Sequence, residues 1–318
     1  MTNRMKKVVT IGGGTGSYVV LRGLKEFPLD ITAVVSMFDS GGSSGVLRDE
    51  FGVLPPGDVR RCLLALSDSK QAEILRDLFN YRFNGGTGLS GHSFGNLFLV
   101  ALSSIYGGEI EGIRKASELL DIKGKVLPVS LDKAELQAVL WNGEKIKGET
   151  NIDVPKHDGK TRIREVSLEP DANIYSETED AIRNADIIVI GPGDLYTSII
   201  PNLLVKGVPE ALAANKGKKV FVSNLMTKWG ETNNLLASDT AKEVLKYSGL
   251  TKFDYVICND GSIDKSLLMA YQKEKKFPIK YDTELQKYAQ EIKKGNFFSE
   301  ADIARHDSEK IARVISEL

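Results

Sequence analysis

KVVTIGGGTGSYV, Lys7 to Val19, decides the fold. KVVTI is a short β-branched and apolar run of the kind that forms a buried strand. Four glycines in a row of six follow it, and Val20, Leu24 and Phe27 then recur on one face of a helix. A glycine turn that leaves a strand and opens a helix points free N–H groups and the positive end of the helix dipole at one spot, which favours an anion. Gly13, Gly14, Thr15 and Gly16 are therefore candidate phosphate contacts. The stretch is not a Walker loop, because no lysine follows the glycines. It matches G-x-G-x-x-G only in part, since Val19 stands at the last position. The alternative is a tight strand–helix turn, but four glycines exceed what such a turn needs.

Working outward, DITAVVS (30–36) reads as a second strand, and MFDSGGSSG (37–45) follows it. Asp39, Ser40, Gly41, Gly42, Ser43 and Ser44 put one carboxylate among residues that let peptide N–H groups approach a guest. Asp39 stands where a dinucleotide fold holds a ribose-binding acid; equally, it could bind Mg²⁺ together with Asp58. Asp58, at the end of LPPGD, is either that second ligand or an N-cap for the helix carrying Val59, Cys62, Leu63 and Leu66. GHSFGN offers His92, Ser93 and Asn96, either as donors to a ligand or as packing at a helix start. Adjacent residues seldom face each other, so no catalytic triad is read there. Arg48, Arg60 and Arg61 flank the glycine loops with positive charge. IGPGDLYTSIIPN (190–202) repeats the strand–glycine logic with Gly191, Gly193, Asp194, Thr197 and Ser198, the alternative being a helix start capped by Asp194. Two such exits in one sheet point to a shared cleft at the carboxyl ends of the strands.

The rest of the chain keeps a β/α rhythm. Helices are expected through Ile74, Leu78 and Tyr81, over 93–105 with Ser93 as cap, and over 108–120. ADIIVI, KKVFVSN, FDYVICND and the weaker FPIKYD are further strands. Residues 125–170 read as a β-rich insertion with a hairpin around Asn142-Gly143 and a solvated HDGK turn. The expected class is α/β: a three-layer α/β/α, Rossmann-like, mainly parallel sheet with a small β-hairpin insertion, residues 1–318 forming one domain. Hydrophobic residues make up 42%, charged residues 27%, and the net charge is −1, which argues against disorder and against a global pull toward nucleic acid or membrane. Cys62 and Cys258 read as buried thiols in a reducing compartment. With no signal peptide and no apolar run near 18 residues, a cytoplasmic location is expected. His157 reads as a surface residue, and Arg305-His306 as an exposed helix start with Arg305 a candidate phosphate contact. No cluster has transition-metal spacing.

Taken together, IGGGTGSYVVLRGLK, FDSGGSSGVLRDEFGVLPPGDVRRCLLALS, GHSFGNLFLVAL, VIGPGDLYTSIIPNLLVKGV, NLMTKWGET and ARHDSEK resemble the YvcK-like gluconeogenesis factors of bacteria, within the wider CofD-like family. The resemblance implies a cytoplasmic protein tied to cell shape and cell-wall synthesis during gluconeogenic growth, binding a UDP-sugar such as UDP-N-acetylglucosamine. CofD relatives transfer 2-phospho-L-lactate from a nucleotide-activated diphosphate to a deazaflavin alcohol with Mg²⁺. The resemblance places Asp39 and Asp58 where those transferases keep acids near nucleotide and metal, and makes Tyr271 and Arg305 contacts to the uridine or sugar side. FDSGGSSG and GHSFGN belong to the YvcK-like branch rather than to the transferases. Expected partners are the UDP-sugar, a protein of cell-wall synthesis and further copies of the chain, with no nucleic acid and no membrane.

Three functions follow: a UDP-sugar-binding regulator, a Mg²⁺-dependent transferase resting on Asp39 and Asp58, and an NAD(P)-dependent oxidoreductase. The broken fingerprint at Val19 and the second glycine loop weigh against the third.

Overall fold

The computed structural model describes residues 4–68, 72–299 and 304–318. Seven strands form a parallel sheet: β1 (Lys6–Gly12), β2 (Leu29–Val35), β3 (Lys125–Pro128), β7 (Ile187–Ile190), β8 (Lys218–Val222), β9 (Phe253–Asn259) and β10 (Ala289–Gly295). Their order is β10-β9-β8-β7-β1-β2-β3. The chain runs outward from β1 to β3, returns to β7 on the other side of β1, and continues to β10. The order therefore reverses between β1 and β7, and both glycine turns leave the sheet there.

Alternation along each strand builds two cores. Val8 of β1 and Ile187 and Val189 of β7 face a layer that includes Val20, Leu24, Leu63 and Ile311. Val9 and Ile11, with Ile188 and Ile190, face the opposite layer with Ile200, Leu212 and Val244. Both faces are covered, as a parallel sheet requires. The first layer contains α1 (Gly14–Leu24), α3 (Gly57–Leu66) and the last helix, Ser308–Ser316. Near it lie α2 (Gly42–Phe51), α4 (Ala72–Asn80), α5 (Phe94–Tyr106) and α6 (Glu109–Leu119). The second layer holds helices Ser176–Arg183, Val208–Ala214 and Ala237–Ser248.

A separate antiparallel sheet, ordered β5-β4-β6, is made of β4 (Glu135–Leu140), β5 (Lys145–Lys147) and β6 (Ile163–Glu169). β4 and β5 flank Asn142-Gly143 as a hairpin. The short helix α7 (Glu149–Asp153) follows. Leu136, Ala138 and Leu140 alternate inward and join the second core, so this small sheet is packed rather than pendant.

Three expectations are corrected. Residues 125–128 do not open the insertion: they are the edge strand of the main sheet, paired with β2 at Thr32–Val35. FPIKYD is extended beside residues 225–227, with Ile279 N donating to Leu225 O at 2.9 Å, but it is not a strand of the sheet. The edge strand is AQEIKKG instead, whose outward charges hide it from an apolar search and protect the edge. In α4, Ile74 and Leu78 are exposed, 72% and 41%, so the helix forms but that face is not core.

Candidate functional site

The β1 turn enters α1 with Gly14 at φ +65°. The β7 turn enters a single wide turn, Leu195–Ile199, with Gly191 at φ +76°. The two turns touch: a Cβ on Gly16 would sit 2.2 Å from the Pro192 carbonyl oxygen. Asn224, just past β8, fixes the second turn at two points. Gly193 N donates to its Oδ1 at 3.1 Å, and its Nδ2 donates to Gly193 O at 2.7 Å. By helix geometry the first N–H groups of α1 have no intrahelical acceptor. Gly14 N finds one in Asp58 Oδ1 at 2.9 Å.

A cleft opens over this seam in two halves, about 450 and 440 Å³. Both halves touch Gly14, Thr15, Asp194 and Ser198. The first half is bounded by Gly13, Gly16, Gly193, Lys228, Arg305 and His306, among others. The second is bounded by Asp39, Gly41, Gly42, Ser43, Ser44, Asp58, Asn96 and Thr197, together with Arg60, Arg61 and Arg82. Glu149, Thr150 and Asp153 of α7 complete its wall. The insertion thus contributes directly to the cleft.

Several expected site residues sit one layer back. Ser40 Oγ accepts from Thr150 N at 3.0 Å, tying the glycine loop to α7. His92 Nδ1 lies 3.1 Å from Ser43 Oγ, and Ser93 caps α5 by accepting from Asn96 N at 3.2 Å. Gly191 shapes the turn without lining the cleft. The Tyr271 hydroxyl accepts from Ala304 N at 3.0 Å, so it supports the wall next to Arg305 without lining it. Arg48 pairs with Asp49 and lines neither half. The caps proposed for Asp58 and Asp194 do not form: neither side chain makes a capping bond, and Asp194 Oδ2 instead accepts from Lys228 at 2.7 Å. His306 is buried rather than exposed.

Asn96 organises the second half. Its Oδ1 accepts from Arg60 Nε at 3.1 Å, and its Nδ2 donates to Ser43 Oγ at 3.2 Å. Arg60 also donates to Phe79 O and Asn80 Oδ1, both at 3.2 Å. Burial lowers the Arg60 guanidinium to about 10, still fully charged at neutral pH. Burial raises Asp58, against the pull of Arg61. Glu149 is pushed up to about 8, by burial first and then by Asp39 and Asp153.

Sequence reasoning assigned no role to Glu149, Thr150, Asp153, Asn224, Lys228 or Glu231. The last three lie in or beside NLMTKWGET, a stretch whose density of polar residues was a usable signal for a site. The α7 residues carried no such signal, since they become cleft wall only through the insertion's docking.

Two groups of carboxylates bear on metal binding. Asp39 and Asp58 both line the second half of the cleft and offer hard oxygens of the kind Mg²⁺ takes, but among the described residues no third carboxylate converges with them. Asp153, Asp194 and Glu231 do converge, with donor atoms within 4.8 Å of one another, but the Lys228 ammonium already fills that place.

Fold and cleft define a doubly wound α/β protein with its candidate site at the switch point of the sheet. The profile of the family described as 2-phospho-L-lactate transferase CofD matches residues 8–298. The chain is 42% identical over 317 residues to the gluconeogenesis factor of Halalkalibacterium halodurans, covering 99% of this chain and 97% of that one. It is 40% identical to the gluconeogenesis factor of Bacillus subtilis, covering 98% of each. A crystal structure of a Bacillus halodurans protein, 41% identical, superposes with a TM-score of 0.93 over 98% of this chain and 99% of that chain. The chain belongs to the CofD family, on the branch of the gluconeogenesis factors. Among the described residues no helix is long and apolar enough to cross a membrane.

Proposed function

We propose that the chain is a cytoplasmic regulatory protein that binds a nucleoside-diphosphate sugar of the UDP-N-acetylglucosamine type and passes its occupancy to cell-wall synthesis and cell shape during gluconeogenic growth. The observation that carries this reading is the pair of abutting glycine turns at the centre of a two-part cleft. A diphosphate fits at the seam, where the N–H groups of Thr15 and Gly16 open α1. The hydroxyl-, amide- and carboxylate-rich second half suits a polyhydroxylated group, and its arginines offset part of the phosphate charge. Names given to close relatives, gluconeogenesis factor in both Bacillus subtilis and Halalkalibacterium halodurans, support the physiological setting. Titration calorimetry with UDP-N-acetylglucosamine, with and without Mg²⁺, should give saturable heat; none in either condition would reject the reading.

A second reading is a transferase of the 2-phospho-L-lactate type, favoured by Asp39 and Asp58 on one cleft wall. These two residues would hold Mg²⁺ there. When bound, the ion would neutralise diphosphate charge. Asp58 additionally orients the α1 entrance through Gly14 N. Incubation with nucleotide-activated phospholactate and a deazaflavin alcohol, followed by mass spectrometry, tests this reading. Product formation supports it, and unreacted donor alongside measurable UDP-sugar binding removes it for that acceptor.

A further inference from the structure

Lys228 is a cleft cation surrounded by three carboxylates. Its ammonium contacts Asp153 of α7, Asp194 of the second glycine turn at 2.7 Å, and Glu231 at 2.9 Å. The contacts to Asp153 and Asp194 are hydrogen bonds, and Glu231 adds a third carboxylate as an ion pair. The three acids are held unequally. Glu231 is fully enclosed and also accepts from Tyr196 N at 3.0 Å and Thr197 Oγ1 at 3.3 Å. Asp194 belongs to a turn whose carbonyl accepts from Ser198 N at 2.8 Å and Ile199 N at 3.0 Å. Asp153 ends a helix of five residues in the insertion.

Position adds a second point. Lys228 lines the first half of the cleft, Asp153 lines the second, and Asp194 lines both. The Lys228–Asp153 pair therefore crosses the boundary between the halves, beside Gly14 and Ser198. A ligand long enough to occupy both halves brings its phosphate to that boundary. A phosphoryl group carries more charge than a single carboxylate and forms stronger charge-assisted hydrogen bonds. It competes with the three acids for Lys228, and Asp153 is the one held by the shortest element, whereas Asn224 fixes the turn of Asp194 and Glu231 is enclosed.

We infer that Lys228 takes a phosphoryl oxygen of the ligand by leaving Asp153, so that filling the cleft unlatches residues 149–160 from the body of the protein. This inference rests on the diphosphate reading above and assigns to it a binding residue and an output. The neighbouring contacts are tight enough to register the change. Trp229 Nε1 stands 2.2 Å from where a Cβ on Gly159 would lie, and Pro155 Cγ stands 2.5 Å from the corresponding point on Gly230. Trp229 is also one of two tryptophans in the chain, the other being Trp141 at the exposed hairpin tip.

The test uses the full chain carrying Trp141→Phe, so that Trp229 alone emits. Amide hydrogen exchange over 149–160 and Trp229 fluorescence are followed during titration with UDP-N-acetylglucosamine and, separately, inorganic pyrophosphate, with binding read by calorimetry. Saturation should speed exchange over 149–160 several-fold and shift the emission. Asp153→Asn should show the faster exchange without ligand, little further change with it, and binding about three- to tenfold tighter. Saturable heat with exchange over 149–160 unchanged or slowed overturns this inference while leaving the binding reading intact. Heat from neither probe removes both. Unliganded Asp153→Asn exchanging like the parent also overturns it, whatever the ligand does.

Discussion

Gly16 shows how one missing side chain fixes the site. Its Cα faces the Pro192 carbonyl, and the 2.2 Å that would separate an added Cβ from that oxygen is set by backbone on both sides, which cannot swing away. Gly16→Ala should therefore cost about 2–4 kcal/mol and separate the two turns. The expected outcome is a lower denaturation midpoint together with loss of ligand heat. Gly85→Ala, where nothing lies within 4 Å, should change stability by no more than about 0.5 kcal/mol and serves as the control. Residues of this kind were legible in the sequence, because dense glycine straight after a strand marks a place where backbone must come close to something. Ser93 as the cap of α5 was legible too, but the role of His92 was not. A short polar motif looks the same whether it faces a ligand or, as here, holds Ser43 and the start of α5 from behind.

At the scale of elements, the insertion carries the largest departure from the sequence reading. Its hairpin was legible from Asn142-Gly143 and the alternation of β4. Its inward-facing α7 was not, because a helix of five residues has too few turns to show a period. Burial of the Glu149 carboxyl, with Asp39 and Asp153 nearby, gives this docking a pH dependence. Glu149 titrates near 8 in the folded protein and near 4.5 in the unfolded chain. The folded state thus binds the extra proton between those values, and the stability contributed by the protonated carboxyl is complete below about 4.5 and lost as pH rises through 8. Glu149→Gln should flatten that loss and stabilise the protein at pH 8 by roughly 1–2 kcal/mol, read from urea midpoints across pH. A parent protein whose midpoint rises between pH 6 and 8 in step with Glu149 would contradict the assignment.

Across the whole molecule, the parallel α/β plan was legible because both faces of each central strand are apolar, which only a covered sheet permits. The charged edge strand β10 was not, for the reason that makes it a safe edge. The buried His306 sets an opposing acid limit. Burial lowers its imidazole to about 4, against the small upward pull of the Ser223 carbonyl. The unfolded chain, titrating near 6.5, binds more protons between those values, so this contribution to stability falls as pH drops from about 6.5 to 4. His306→Gln should make the acid limb of the stability profile shallower, by up to about 2–3 kcal/mol at pH 4, as followed by urea midpoints on the acid side.

The pairing of β1 with β7 also has a consequence for synthesis. β1 can acquire β2 early, but Val8 to Ile11 wait for Ile187 to Ile190 before their other side is paired. During translation the nascent chain therefore carries an open β edge at its future centre until more than half of the polypeptide has been made. That interval is when a chaperone would be most needed, and a prematurely terminated product would retain the first glycine turn without the opposing one.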